Sequence, residues 1–243
     1  MTGRPPASAT STVVGDLRVL PGVEGPDPGR CRDILVHLPP RALESGRRYP
    51  VLYMHDGQNL FDEATSYAGE WQVDETLAIL AGEGIELIVV GIPNAGDGRL
   101  AEYTPYLGLD GLRPAGGGGR AYLRWVAGVV KPAVDAAFPT TRDRRETGIM
   151  GSSLGGLISL WAAVAHPDVF GRIGAMSPAI LPGQGRIYRR LRSLAVLPER
   201  VYLDAGGREG SDARTEALAR RWSAAFTRDA RRLRDELLHA GLH

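Results

Sequence analysis

Residues 147–156 read Thr147-Gly148-Ile149-Met150-Gly151-Ser152-Ser153-Leu154-Gly155-Gly156, and an apolar run continues to Ala165. The short stretch 147–150 predicts a strand and 154–165 a helix, with a G-x-S-x-G between them. Strand, tight turn and helix in that order form the setting a nucleophile elbow requires. Such a turn carries strained dihedrals, so Gly151 and Gly155 are expected where bulk would strike neighbouring backbone. Ser153 then stands clear at the top of a sheet, with a helix N-terminus behind it that favours developing negative charge. The plainer reading is a tight turn with glycines for packing, and the flanks favour the elbow.

Working outward, short β-branched runs alternate with longer amphipathic ones. That alternation predicts an α/β protein: a parallel sheet covered by helices on both faces. Strands are expected at 12–14, 34–38, 51–54, 87–91, 148–150, 173–176 and 201–203, several of them nearly all apolar, as buried central strands are. Helices fit at 73–81, 121–137, 154–165, 187–194 and 213–238. In the second, Tyr122, Val126, Val129, Val130 and Val134 share a face, and Pro132 predicts a kink. In the last, Leu218, Trp222, Phe226, Leu233 and Leu237 mark the apolar stripe, with Glu216 and Arg220 placed to pair. No repeat and no linker interrupts the pattern. It reads as a frayed N-terminus over 1–11, rich in Pro, Ala, Ser and Thr, followed by one domain over 12–243.

Composition narrows the function. The chain has 243 residues, 29 basic against 28 acidic, one cysteine and 43% apolar side chains. A net charge of +1 supplies no field to hold a polyphosphate backbone, so nucleic-acid binding is not expected. Cys31 lacks a partner and a nearby base motif, and reads as inert. Lys131 is the only lysine beside 28 arginines, a mark of codon bias. Met1-Thr2-Gly3-Arg4-Pro5-Pro6 opens no apolar h-region, and no run approaches the roughly 20 apolar residues that span a bilayer. The expectation is a cytoplasmic protein with no membrane partner; oligomeric state is not legible.

An acyl-transferring serine needs two N–H donors for its oxyanion. Leu154, after the nucleophile, supplies one. The loop Met54-His55-Asp56-Gly57-Gln58-Asn59 supplies the other from Gly57 or Gln58. His55 at the upper sheet edge is expected to orient that loop, and it counts with Arg99 and Tyr103 among the substrate-pocket candidates. The next upper loop brings Arg99, Glu102 and Tyr103, candidates for contacting substrate or for shaping the loop. The glycine-rich stretch 112–120 reads as a flexible lid. It is no phosphate cradle, because no Gly-Lys-Ser/Thr follows it.

With these strings in hand, residues 12 to about 240 resemble the putative-esterase family of α/β-hydrolases, which includes esterase D, enterobactin esterases, feruloyl esterases and mycolyltransferases. The resemblance rests on Tyr53-Met54-His55-Asp56-Gly57-Gln58-Asn59-Leu60-Phe61-Asp62, Glu70-Trp71-Gln72-Val73-Asp74-Glu75, Glu102-Tyr103-Thr104-Pro105, Gly151–Gly156 and Ser177-Pro178. It implies an α/β-hydrolase fold, a Ser–acid–His triad, no metal and no organic cofactor. It also points to Glu209 as the triad acid, with Asp204 the second candidate because Asp204 still lies on its strand. A loop carboxylate paired with Arg208 is the plainer reading of Glu209.

The histidine is the difficulty. Family members carry it in a loop after an eighth strand, whereas this sequence ends Leu237-Leu238-His239-Ala240-Gly241-Leu242-His243. The expectation is a chain truncated relative to the family, with the last strand missing. A helix over 213–238 descends about 39 Å at about 1.5 Å per residue, which carries His239 and His243 to the far edge from Ser153. His37 and His166 read as structural. The sequence therefore predicts a carboxylic-ester hydrolase acting through Ser153 on a small-molecule ester. An acyltransferase on the same fold, or an inactive hydrolase-like scaffold, stands as the alternative.

Overall fold

The computed structural model describes residues 11–27, 29–67, 69–110, 113–181, 183–206 and 216–242. In chain order, β1 (Asp16–Glu24), β2 (Cys31–Leu38) and β3 (Val51–His55) lead to α1 (Val73–Gly82) and β4 (Ile88–Ile92). A short α2 (Arg99–Tyr103) and a hairpin of β5 (Leu107–Asp110) and β6 (Arg113–Gly116) follow. Then come α3 (Gly119–Trp125), a π-helical stretch Val126–Val130 and α4 (Lys131–Ala137). The second half alternates β7 (Thr147–Ser152), α5 (Leu154–Ala165), β8 (Arg172–Met176), α6 (Arg186–Arg192), β9 (Arg200–Asp204) and α7 (Glu216–His239).

Seven strands form one sheet in the order β1-β2-β4-β3-β7-β8-β9, the first two pairings antiparallel and the rest parallel. Successive residues of the central strands enter opposite layers, as a two-residue period requires. Val51, Tyr53, Val90, Ile149 and Ile173 join the larger core with residues of α3 through α7. Met54 and Val89 join Leu60, Phe61 and Leu77 of α1 on the other face. The expected α/β architecture with helices on both faces is present. Register aligns the C-terminal ends: His55 beside Ile92, Ser152 beside Met176, Met176 beside Asp204. That shared edge is where loops gather.

Three expectations change: the first strand, the second helix and the lid. The first strand is not at 12–14 but at Asp16–Glu24. Its alternating, half-exposed pattern is that of an edge strand, broken by a register shift between Leu20 and Val23. Ser11, at the end of the stretch expected to fray, donates to Asp62 Oδ2 at 2.7 Å. The helix expected over 121–137 is interrupted ahead of Pro132 by the wider π turn Val126–Val130, which accommodates the ring without a clash with the preceding carbonyl. That turn moves the inward face to Val130, leaving Val129 41% exposed. The stretch expected as a lid is instead close-packed turn and hairpin: Gly118 N–H bonds Ala101 O, and Gly117 and Gly119 N–H both bond Thr104 O. A Cβ on Gly119 would stand 2.9 Å from Pro105 backbone, so glycine serves contact there. Residues 1–10 and the side chains of Glu216, Leu218, Arg220 and Trp222 lie outside the described residues.

Candidate active site

Ser153 occupies the turn between β7 and α5 at φ 57°, ψ −117°, a region costly for a residue with a Cβ. The surroundings over-determine it. Its N–H bonds Met176 O at 2.9 Å, and its own carbonyl accepts from Ala179 N at 3.0 Å and Leu157 N at 3.1 Å. The hydroxyl does not cap α5 and faces a cleft of about 920 Å³. Gly151 is required as expected, since a Cβ would lie 2.8 Å from the Gly155 backbone. Gly155 is not: its Cβ would meet nothing nearer than His55 Cβ, at 3.4 Å, because α5 carries it away from the turn.

The loop after β3 forms the facing wall. Asp56 adopts the left-handed region at φ 57° and starts a short 3₁₀ turn, Gly57–Asn59. Its N–H donates to Tyr103 Oη at 3.1 Å. Its carboxylate accepts two bonds from Arg99, both 2.7 Å, and one from Asn94 Nδ2 at 2.6 Å. The first N–H groups of any helical turn have no intrahelical acceptor. Gly57 and Gln58 stand at the start of this turn and Leu154 at the start of α5, so two sets of such donors flank the serine. Gln58 lines the cleft with Ser153. Gly57 is buried against β4, where a Cβ would sit 2.5 Å from the Gly91 carbonyl carbon.

Of the three expected pocket residues, Arg99 lines the cleft while neutralising Asp56. His55 and Tyr103 do not line it, which corrects that expectation: they are 1% and 0% exposed. They stack behind the loop with Tyr122, ring centroids 5.1–5.5 Å apart. His55 Nδ1 pairs with Tyr122 Oη at 2.8 Å, and its Nε2 is buried without a partner. Burial pulls its pKa from 6.5 to about 4; the Asp56 carboxylate opposes this and Arg99 adds to it. Glu102 does not line the cleft and pairs bidentately with Arg32, whose guanidinium lies 5.1 Å from the Trp125 ring centroid. Sequence reading missed Arg32 altogether, because 70 residues separate it from Glu102.

Asp204 ends β9, as expected for the second acid candidate. Its Oδ1 accepts the Ser177 N–H at 3.0 Å and its Oδ2 the Tyr202 hydroxyl at 2.8 Å. Glu209 and Arg208 lie outside the described residues, as does His243. His239 is exposed at the end of α7. The next turn sets Gly241 against Leu197, ahead of β9 and at the opposite sheet edge from Ser153. His37 bonds Val14 O at 3.0 Å within the fold, and His166 caps the C-terminus of α5. Among the described residues, no histidine is hydrogen-bonded to Ser153.

Polar side chains, among them Asn59, Thr65 and Asn94, line the cleft beside two aromatics, Tyr67 at 94% and Trp71 at 37% exposure, and most of its surface is apolar. A second cavity of about 430 Å³ is also lined by Ser153, with Leu154, Ile180, Leu181 and Phe226. The serine thus borders two spaces, the second the more apolar. No helix among the described residues is long and apolar enough to cross a membrane.

Residues 26–241 match the family described as "Putative esterase". The uncharacterized protein YbbA of Bacillus subtilis is 29% identical over 184 residues, 74% of this chain and 70% of that protein. The siderophore triacetylfusarinine C esterase of Aspergillus fumigatus is 35% identical over 137 residues, which span 54% of this chain and 44% of that protein. Among solved structures, the siderophore hydrolase EstA of Aspergillus nidulans superimposes with a TM-score of 0.73 at 20% identity, over 99% of this chain and 88% of the other. At that identity the likeness is one of fold.

Proposed function

From the premise that the chain belongs to the "Putative esterase" family, we propose that it is a serine esterase in which Ser153 is the nucleophile. The observation that carries this reading is the strained Ser153 backbone, locked by Met176 and Ala179 with its side chain turned to the cleft. Ser153 Oγ attacks the ester carbonyl carbon and passes its proton to a base. The oxyanion takes hydrogen bonds from the N–H groups of Leu154, at the start of α5, and Gln58, preferred to Gly57 because it lines the cleft. Collapse breaks the ester C–O bond, the alcohol leaves with the proton, and water then hydrolyses the acyl-enzyme.

Glu209 is the proposed triad acid, and none of the histidines among the described residues is hydrogen-bonded to Ser153. The size of the cleft, and its polar side chains set beside Tyr67 and Trp71, suit a bulky ester with polar and aromatic parts better than a short fatty one. Two of the proteins it resembles are described as siderophore esterases or hydrolases, so a siderophore ester is the proposed substrate class. A second reading, a scaffold that retains the elbow without turnover, draws on the lack of a histidine beside Ser153 among the described residues.

A fluorophosphonate probe separates the two. Stoichiometric labelling that mass spectrometry maps to Ser153, with p-nitrophenyl butyrate hydrolysis lost in Ser153→Ala, is the expected result. A folded protein that neither labels nor hydrolyses would sink the esterase reading in favour of the scaffold.

A further inference from the structure

Glu70, Asp74 and Glu75 each keep one buried carboxylate oxygen with no hydrogen-bond partner: Glu70 Oε1, Asp74 Oδ1 and Glu75 Oε2. The three residues offer ligand atoms that all lie within 4.8 Å of one another. Asp74 is fully buried, and its other oxygen accepts the Val14 N–H at 2.6 Å. Glu70 Oε2 accepts the Thr12 hydroxyl at 2.7 Å. Among the described residues, no ion pair reaches any of the three. Asp74 and Glu75 sit in the first turn of α1, and a helix N-terminus favours anions. That dipole supplies no partner to an oxygen closed off from water, and three such oxygens repel one another.

We infer that these three carboxylates form a binding site for a hard divalent cation, Ca²⁺ in the first instance. The donors are all oxygen, with no histidine or cysteine among them, which disfavours zinc and copper. Ca²⁺ holds oxygens at about 2.3–2.6 Å, so it touches ligands up to about 5 Å apart without the carboxylates moving. Mg²⁺, at about 2.0–2.1 Å and strict octahedral geometry, requires them to contract. Water entering past the half-buried Glu70 and Glu75 completes the coordination. This departs from the expectation of no metal, and the role is structural. The ion ties the 11–14 segment, the loop up to Trp71 and the start of α1 into one unit. Tyr67 and Trp71 of that loop line the cleft at Ser153, so occupancy steadies one of its walls.

The test is Tb³⁺ luminescence excited through the neighbouring Trp71, together with thermal melting in EDTA and in millimolar Ca²⁺. Saturable luminescence displaced by Ca²⁺, a higher Tm in Ca²⁺ than in EDTA, and at least tenfold weaker Tb³⁺ binding in Glu75→Gln are expected. If Glu75→Gln fails to fold, the wild-type melting difference and Ca²⁺ competition decide. No rise in Tm of the wild-type protein in either Ca²⁺ or Mg²⁺ would overturn the site, as would a rise fully retained in Glu75→Gln. Stabilisation by Mg²⁺ but not Ca²⁺ would overturn the choice of ion.

Discussion

Arg99 grips both oxygens of Asp56, Nε and Nη2 each at 2.7 Å, and the same arginine lies 4.9 Å from the Tyr103 ring centroid. Tyr103 in turn accepts the Asp56 N–H. One side chain on α2 therefore holds the loop that carries the proposed oxyanion donors, with Asp56 in the left-handed region at φ 57°, a conformation that costs most residues with a Cβ.

Replacing Arg99 by Met leaves a nearly buried carboxylate with Asn94 as its side-chain partner. Breaking such a pair is destabilising, and because Arg99 is 28% exposed the expected cost is about 1–3 kcal/mol. Urea unfolding checks this. The value of kcat/KM is expected to fall at least tenfold as the loop loosens. Arg99→Lys recovers little of it, since an ammonium cannot reproduce the two-pronged geometry.

Gly151 and Gly155 are equivalent in the motif and unequal in space. Gly151→Ala forces a Cβ to 2.8 Å from Gly155 backbone and is expected to cost about 1–3 kcal/mol and the activity. Gly155→Ala, with open contact distances and a helical position, is expected to stay within about 1 kcal/mol of wild type. Gly57→Ala, driven 2.5 Å from the Gly91 carbonyl carbon, ranks with Gly151→Ala or below it. Equal urea midpoints for Gly151→Ala and Gly155→Ala would contradict this ordering.

His55 makes stability depend on pH with a definite sign. Its folded pKa, about 4, lies below the 6.5 of an unperturbed ring, so between those values the unfolded chain binds the extra proton. Stability is therefore highest above pH 6.5 and falls as pH drops from 6.5 towards 4, by at most on the order of 3 kcal/mol from this group. In His55→Gln that part of the slope disappears. Unfolding midpoints at several pH values, wild type against variant, give the difference directly.

Tyr122→Phe removes the partner of His55 Nδ1 and leaves a fully buried imidazole with neither nitrogen paired. The expected loss is about 1–3 kcal/mol in thermal or urea unfolding. A neutral result would mean the ring finds another partner.

Much of the architecture is legible along the chain because it rests on local patterning. The apolar runs of β3, β4, β7 and β8, the elbow, and α5 over Leu154–Ala165 all lie where periodicity predicts them. An edge strand such as β1 is less legible: its half-exposed alternation and its bulge at Pro21-Gly22 carry no strong apolar signal. The π turn ahead of Pro132 is likewise invisible to a reading that assumes one helical period.

The order of residues alone, then, determined the α/β class, the strand–turn–helix around Ser153 and the family, because each depends on spacing within a few turns of chain. Tertiary structure alone decided which charges meet: Arg99 with Asp56, Arg32 with Glu102, and Val14 and Thr12 with the carboxylates at the start of α1. It also decided that His55 and Tyr103 lie behind the cleft wall and that Gly155 has room for a methyl group. These are contacts across 43 to 70 residues of chain or matters of burial. Their partners are set by how helices and loops settle on the two faces of the sheet, and no local spacing encodes that.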